Sequence, residues 1–243
     1  MKLPAALLFL VMTQQLSFKQ TQLQHTRVRL AYQEKESTVK NYFNKLNLNN
    51  QGSYLFLRAF KKEMQLEVWV QSQGGKTYAL LHTYDFCTYS GTVGPKRKEG
   101  DRQIPEGIYY IQHFNPLSNF HLSLGLNYPN ASDLILGDQE SPGSEIYLHG
   151  NCVSIGCIPI TDDKIKELYI LAVDARDSGQ TRIPVHIFPT RLNEPGLLSL
   201  HEEFPTRYDL TAFWDNLALI YNDFERTREI KPIFVSAQGR YKF

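Results

Sequence analysis

A histidine and a cysteine close the two ends of one short loop in the segment Tyr147-Leu148-His149-Gly150-Asn151-Cys152-Val153-Ser154-Ile155-Gly156-Cys157-Ile158-Pro159. A thiol attacks as its thiolate, and near neutral pH it needs a base or a cation to reach that form. The spacing therefore points to Cys157 as nucleophile and His149 as its base or imidazolium partner. The competing readings are an inert buried cysteine and a hydrogen-bonded structural histidine. Gly156 lets the backbone approach a substrate, and its N–H together with that of Cys157 can hold an oxyanion. Ile155 offers only its backbone, which leaves His149 as the base of the segment. Ser154 either hydrogen-bonds into the site or shapes the turn. Cys152 lines the site, regulates Cys157 by disulfide formation, or packs.

The flanking elements must position these groups. Glu145 to Leu148 reads as a strand, with His149 at its end. Thr161 to Ser178 reads as a helix with a stripe of Ile165, Leu168, Tyr169, Ala172 and Ala175, an N-cap at Thr161 and a stop at Gly179. Cys157 then lies just ahead of a helix N-terminus, whose free N–H groups and positive partial charge lower a thiol pKa. Strand signals cover Tyr54 to Phe60 and Met64 to Val70, joined as a hairpin at Lys61-Lys62, then Tyr78 to Tyr84, Ile108 to Phe114 and Ile183 to Phe188. In Phe120 to Leu126 the apolar residues alternate with His121, Ser123 and Gly125, which predicts one buried face. Val39, Tyr42, Phe43 and Leu46 predict a docked N-terminal helix. Pro189 to Pro205 reads as a linker, and Tyr208 to Arg226 as an amphipathic helix over part of the sheet.

The chain of 243 residues has a formal net charge of +1 and fourteen each of Tyr and Phe. That is ample for a packed core and gives no electrostatic footprint for nucleic acid. Lys2 followed by apolar Leu3 to Met12 predicts a secretory signal peptide, the stretch being too short to span a bilayer. Three cysteines leave one unpaired in an exported protein. Cys157 is the candidate free thiol, and Cys87 reads as a buried small hydrophobe. No metal site is expected, because only Cys152, Cys157 and His149 cluster and no CxxC pair supports them. No cofactor is expected, since no phosphate loop or dinucleotide fingerprint occurs.

Ser154-Ile155-Gly156-Cys157 after His149-Gly150 resembles the signature of the YkuD-type L,D-transpeptidases, a His-Gly followed by Ser-His-Gly-Cys. Ile155 stands where that family usually has histidine, and Pro159 where it has Arg or Asn. These departures, with the short His149-to-Cys157 spacing, are similar to the YafK-like branch. Gly94-Pro95-Lys96, Glu99-Gly100-Asp101, Pro105 to Tyr109 and Asn127-Tyr128-Pro129-Asn130 with Asp133 extend the resemblance from about Ser53 to Pro189. It implies a mostly β (α+β) fold: a YkuD-like β-sandwich of mixed sheets, a capping helix after the nucleophile, and helical extensions at both ends. The expected divisions are a signal peptide over 1–19, a helical segment and linker over 20–52, a catalytic domain over 53–190 and a helical extension over 191–243. The implied reaction is cysteine-dependent acyl transfer on peptidoglycan stem peptides, cleaving an L,D peptide bond through a thioester in the periplasm or cell envelope. The YafK-like branch leans toward hydrolysis or detachment of linked groups. The alternatives are a crosslinking transpeptidase and an inactive peptidoglycan-binding module. The resemblance also implies that the carbonyl of Gly150 or Asn151 orients His149, that Tyr128 and His121 face the cleft, and that Lys96 or Arg102 meets a substrate carboxylate.

Overall fold

A computed structural model describes residues 16–49 and 52–243. The expected signal peptide falls largely outside the described residues. Strand β1 (Tyr54–Phe60) turns through Lys61 to Met64 into β2 (Gln65–Gln71), in register from Tyr54 opposite Gln71 to Phe60 opposite Gln65. Met64, at φ 54°, completes the turn. After β3 (Ala79–Asp85) come β4 (Gly107–Asn115), β5 (Ser123–Leu126), β6 (Tyr147–His149), β7 (Ile158–Pro159) and β8 (Ile183–Phe188). These strands form one mixed sheet in the order β3-β2-β1-β8-β4-β5-β6-β7. The β1–β8 and β6–β7 pairs are parallel and the others antiparallel. The β-rich α+β architecture expected from the sequence is present, with helices covering both faces of the single large sheet.

Alternation along the central strands explains why both faces need cover. Leu55, Leu57 and Ala59 of β1, with Leu66, Val68 and Val70 of β2 and Ile183, Val185 and Ile187 of β8, enter one core. The helices α1 (Phe18–Gln22), α2 (Thr26–Lys45) and α4 (Thr161–Asp177) close that side; the short α3 (Ala131–Leu136) lies between β5 and β6 in the chain. On the opposite face Phe60 and Phe188 meet Phe213, Trp214, Leu217 and Tyr221 of α6 (Tyr208–Thr227). Such doubly covered strands read as continuous apolar runs. Buried Arg58 and Glu67 on the second face each meet a half-buried partner of opposite charge: Arg58 Nη1 lies 2.7 Å from Glu225 Oε1, and Arg191 Nη1 2.7 Å from Glu67 Oε1.

Three expectations are corrected. The linker Pro189 to Pro205 contains α5 (Glu194–Glu203), which Asn193 caps by accepting from the Gly196 N–H, with Pro195 in its first turn. Thr161 has φ 72° and makes no capping bond; Ile160 is the residue before the helix. Gly179, at φ 98°, does follow the helix end. Finally, Ser123 and Gly125 are buried like their apolar neighbours, because β5 is an interior strand between β4 and β6, and the strand starts only at Ser123. Among the described residues no helix is long and apolar enough to cross a membrane.

Candidate active site

The edge of the sheet builds the site. His149 ends β6, where its backbone pairs with Ser123 of β5 on one side and Pro159 of β7 on the other. The Ile160 N–H donates to the His149 carbonyl at 3.0 Å, so the next turn of chain also fixes it. In the parallel β6–β7 pair Leu148 faces Ile158, which sets Cys157 level with Tyr147. His149 lies two residues beyond Tyr147, so the strand period turns both side chains to one face. Both line one cleft of about 770 Å³.

His149 is buried, and its Nδ1 lies 2.5 Å from the Gly150 carbonyl oxygen. A carbonyl can only accept, so Nδ1 carries the proton and Nε2 is the basic nitrogen. The Phe120 ring lies 4.7 Å from the imidazole at an interplanar angle of 30°. Burial pushes the His149 pKa below its ordinary value, and the Gly150 bond only partly offsets this. Gly150 has no room for a side chain: a Cβ there would lie 2.5 Å from Asp162 Oδ1 and 2.9 Å from the Phe120 carbonyl oxygen.

Cys157 is the free cysteine. Its Sγ accepts from the Tyr147 N–H at 3.4 Å and lies 3.7 Å from the Glu145 carbonyl oxygen. The expected depression of its pKa is overturned. Burial pushes the thiol up and Glu145 adds to this, while the Tyr147 N–H and the Lys96 charge oppose it without prevailing. Two residues of β7, Ile158 and Pro159, separate Cys157 in the chain from α4, whose first turn carries Asp162 and Asp163. Burial thus favours the neutral form of both partners in the substrate-free protein. Alkylation of Cys157 by iodoacetamide should be slower at pH 7 than that of an unstructured cysteine, and its rate should keep rising above pH ~8.5. A plateau reached below pH 7 would contradict this.

Ser154 shapes the turn. Its Oγ donates to the Cys157 carbonyl at 2.8 Å, accepts from the Gly156 N–H at 3.1 Å and lies 3.0 Å from Ser90 Oγ. The Gly156 N–H is thus engaged in the turn, which leaves the Cys157 N–H as the candidate oxyanion donor. Gly156, at φ 136°, brings the backbone close to Gln103. Cys152 forms a disulfide with Cys87, so Cys87 is not the isolated hydrophobe expected, and the pairing occupies the sulfur expected either at the site or on Cys157. Asn151, at φ 62°, donates its N–H to Asp162 Oδ1 at 2.7 Å, and its side chain accepts from the Cys152 N–H. Ile155 is 79% exposed at the cleft edge.

The outer positions divide. Arg102 is exposed, lines the cleft and has no ion pair among the described residues. Lys96 also lines it but is buried and tied to Asp101 at 2.7 Å, so it is not the free carboxylate clamp expected. Tyr128 and His121 do not line the cleft. The Tyr128 hydroxyl donates to the Pro142 carbonyl, and His121, at φ 69°, sits behind Gly150. Alternation placed His121 on a strand face, whereas the strand begins two residues later. The sequence reading missed Phe120 and Glu145 as cleft residues. It also missed Arg27, which donates to the Ser118 and His121 carbonyls and ties α2 to the loop carrying Phe120. No local signal marks that long-range clamp. Among the described residues no group of His, Cys, Asp and Glu could hold a metal ion.

Comparison with known proteins adds the remaining findings. The family model of the YkuD L,D-transpeptidase catalytic domain matches residues 57–187. YafK of Escherichia coli strain K12, a candidate L,D-transpeptidase, is 35% identical over 193 residues, covering 78% of this chain and 74% of its own. Among solved structures, the helical cell shape determining protein Pgp2 of Campylobacter jejuni aligns with a TM-score of 0.45 at 16% identity, over 82% of this chain and 80% of that one. Bd1075 of Bdellovibrio bacteriovorus aligns with a TM-score of 0.40 at 24% identity, over 71% of this chain and 60% of that one.

Proposed function

The chain belongs to the YkuD L,D-transpeptidase catalytic-domain family, and from that premise we propose that it cleaves an L,D peptide bond of peptidoglycan stem peptides with Cys157 as nucleophile and His149 as acid–base. One observation carries the assignment: His149 shares its cleft with Cys157 and has Nδ1 committed to Gly150, which leaves Nε2 as the base.

Nε2 takes the Sγ proton as sulfur adds to the carbonyl on the L-centre side of the bond. This step suits two neutral partners, because proton transfer and attack proceed together and need no standing thiolate. The negative charge on the former carbonyl oxygen is held by the Cys157 N–H. The C–N bond then breaks, the imidazolium returns its proton to the leaving amine, and an acyl thioester remains on Cys157. In the second step Nε2 removes a proton from the incoming water or amine, and the thiolate leaves and is reprotonated. Arg102 supplies charge for a substrate carboxylate. Because the substrate lies outside the cytoplasm, the reading includes export, directed by the apolar leader.

Water is the favoured acceptor. Crosslinking requires a second stem peptide held in line with the thioester and water kept out. The short loop is fixed by the disulfide and by Ser154, and Ile155 contributes no second base for an acceptor amine. Mass spectrometry of the products from a tetrapeptide muropeptide or a stem-linked conjugate tests this. Release of the group beyond the L-centre with little dimer is expected. Abundant dimers crosslinked between diaminopimelate residues, with negligible free tripeptide, would restore the transpeptidase reading.

A further inference from the structure

We propose that Asp162 is a positioning residue of this site, holding the Gly150–Asn151 peptide so that its carbonyl supports the His149 imidazole during proton transfer from Cys157. The proposal rests on the roles assigned above to Cys157 and His149.

A single peptide unit carries both contacts. Its C=O accepts from His149 Nδ1–H at 2.5 Å, and its N–H donates to Asp162 Oδ1 at 2.7 Å. The unit is planar and stiff, so fixing its N–H direction fixes the direction of its carbonyl. Donation to an anion also polarises the peptide, which makes its oxygen a stronger acceptor. The arrangement does through one peptide what a directly bonded carboxylate does in a Ser-His-Asp triad: it selects the tautomer, orients the ring and stabilises the imidazolium.

Local details fit this role better than that of an ordinary acid in a helix first turn. No side-chain capping bond is made at the start of α4, and the described hydrogen bond of Asp162 goes to the loop instead. A Cβ at position 150 would come within 2.5 Å of that carboxylate oxygen, so glycine is what lets Asp162 reach the loop. Asn151 adopts φ 62° there and turns its own side chain to the Cys152 N–H, leaving its backbone N–H for Asp162. Asp162 itself stands on a 17-residue helix, a firmer base than the loop it holds. The other charged groups near the ring are Lys96, Glu99, Arg102 and Glu145 around the cleft and His121 behind Gly150. Among the described contacts none of them hydrogen-bonds to the imidazole.

The test follows His149 by nitrogen and proton NMR in the substrate-free full chain, as wild type, Asp162→Asn and Asp162→Ala, alongside Cys157 alkylation by iodoacetamide. Asparagine keeps an acceptor for the Asn151 N–H but no charge; alanine keeps neither. Loss of the anion disfavours the imidazolium, so the His149 titration should move to lower pH and the Nδ1–H resonance upfield, more in Ala than in Asn. Alkylation near neutral pH should change little by comparison, because His149 is already favoured neutral there and the thiolate fraction is set by burial beside Glu145. If His149 titrates in both variants as in the wild type, the proposal is overturned, whatever happens to the rates. Because no substrate is present, a shifted titration supports the relay even in a protein that fails to process muropeptides, an outcome that would count only against the assigned reaction.

Discussion

Replacement of Cys157 by alanine is expected to abolish turnover while leaving the fold in place. The thiol is the only nucleophile in the assigned mechanism, and neither Cys87 nor Cys152 can replace it while they are joined to each other. The fold loses little. Cys157 is partly buried, its sulfur has only the Tyr147 N–H and the Glu145 carbonyl as described polar partners, and the turn around it is held by backbone groups and Ser154. Removing so weak a hydrogen bond costs about 1 kcal/mol or less. A Cys157→Ala protein with a wild-type melting temperature and no product is the expected outcome, read by thermal denaturation and product analysis. Retained activity would remove the mechanism altogether.

His149→Gln is expected to slow the chemical step by about 10²–10⁴-fold, the usual contribution of general acid–base catalysis. Glutamine can still donate to the Gly150 carbonyl, but its amide has no basic nitrogen to take the thiol proton. The pH profile separates this from a packing defect. Burial holds the His149 pKa below the ordinary ~6.5. Below its pKa the imidazolium cannot accept a proton, so wild-type kcat/KM should fall on acidification only below pH ~6.5, and the variant should lose that limb. Should His149→Gln retain the same acidic limb, another group is the base.

That His149 and Cys157 share one cleft was legible because the information is local. His149-Gly150 and Ser154 to Cys157 lie within one strand–turn–strand unit, and period-2 alternation suffices to turn both side chains to one face. The central strands were legible for a similar reason, being apolar along their whole length. What the sequence hid depends on distant partners. The pairing of Cys87 with Cys152 spans 65 residues, and nothing near either cysteine announces it. Lys96 looks like one more basic loop residue until Asp101 folds beneath it. The direction of the thiol pKa was hidden because burial, with Glu145 beside the sulfur, depends on how distant segments close over the turn rather than on the residues next to Cys157. In Phe120 to Leu126 the alternating pattern was real, but its first three residues belong to the cleft loop, held from outside by Arg27.

The central claim is that Cys157 carries the acyl group. Intact-protein mass spectrometry after rapid acid quenching, with a defined tetrapeptide muropeptide as substrate, tests it most directly. The account predicts a transient mass increase equal to the substrate acyl fragment, labile to hydroxylamine, mapped to the Cys157 peptide and absent from Cys157→Ala. Product formation with no adduct on the wild-type protein at any quench time, or an adduct that persists in Cys157→Ala, would contradict it.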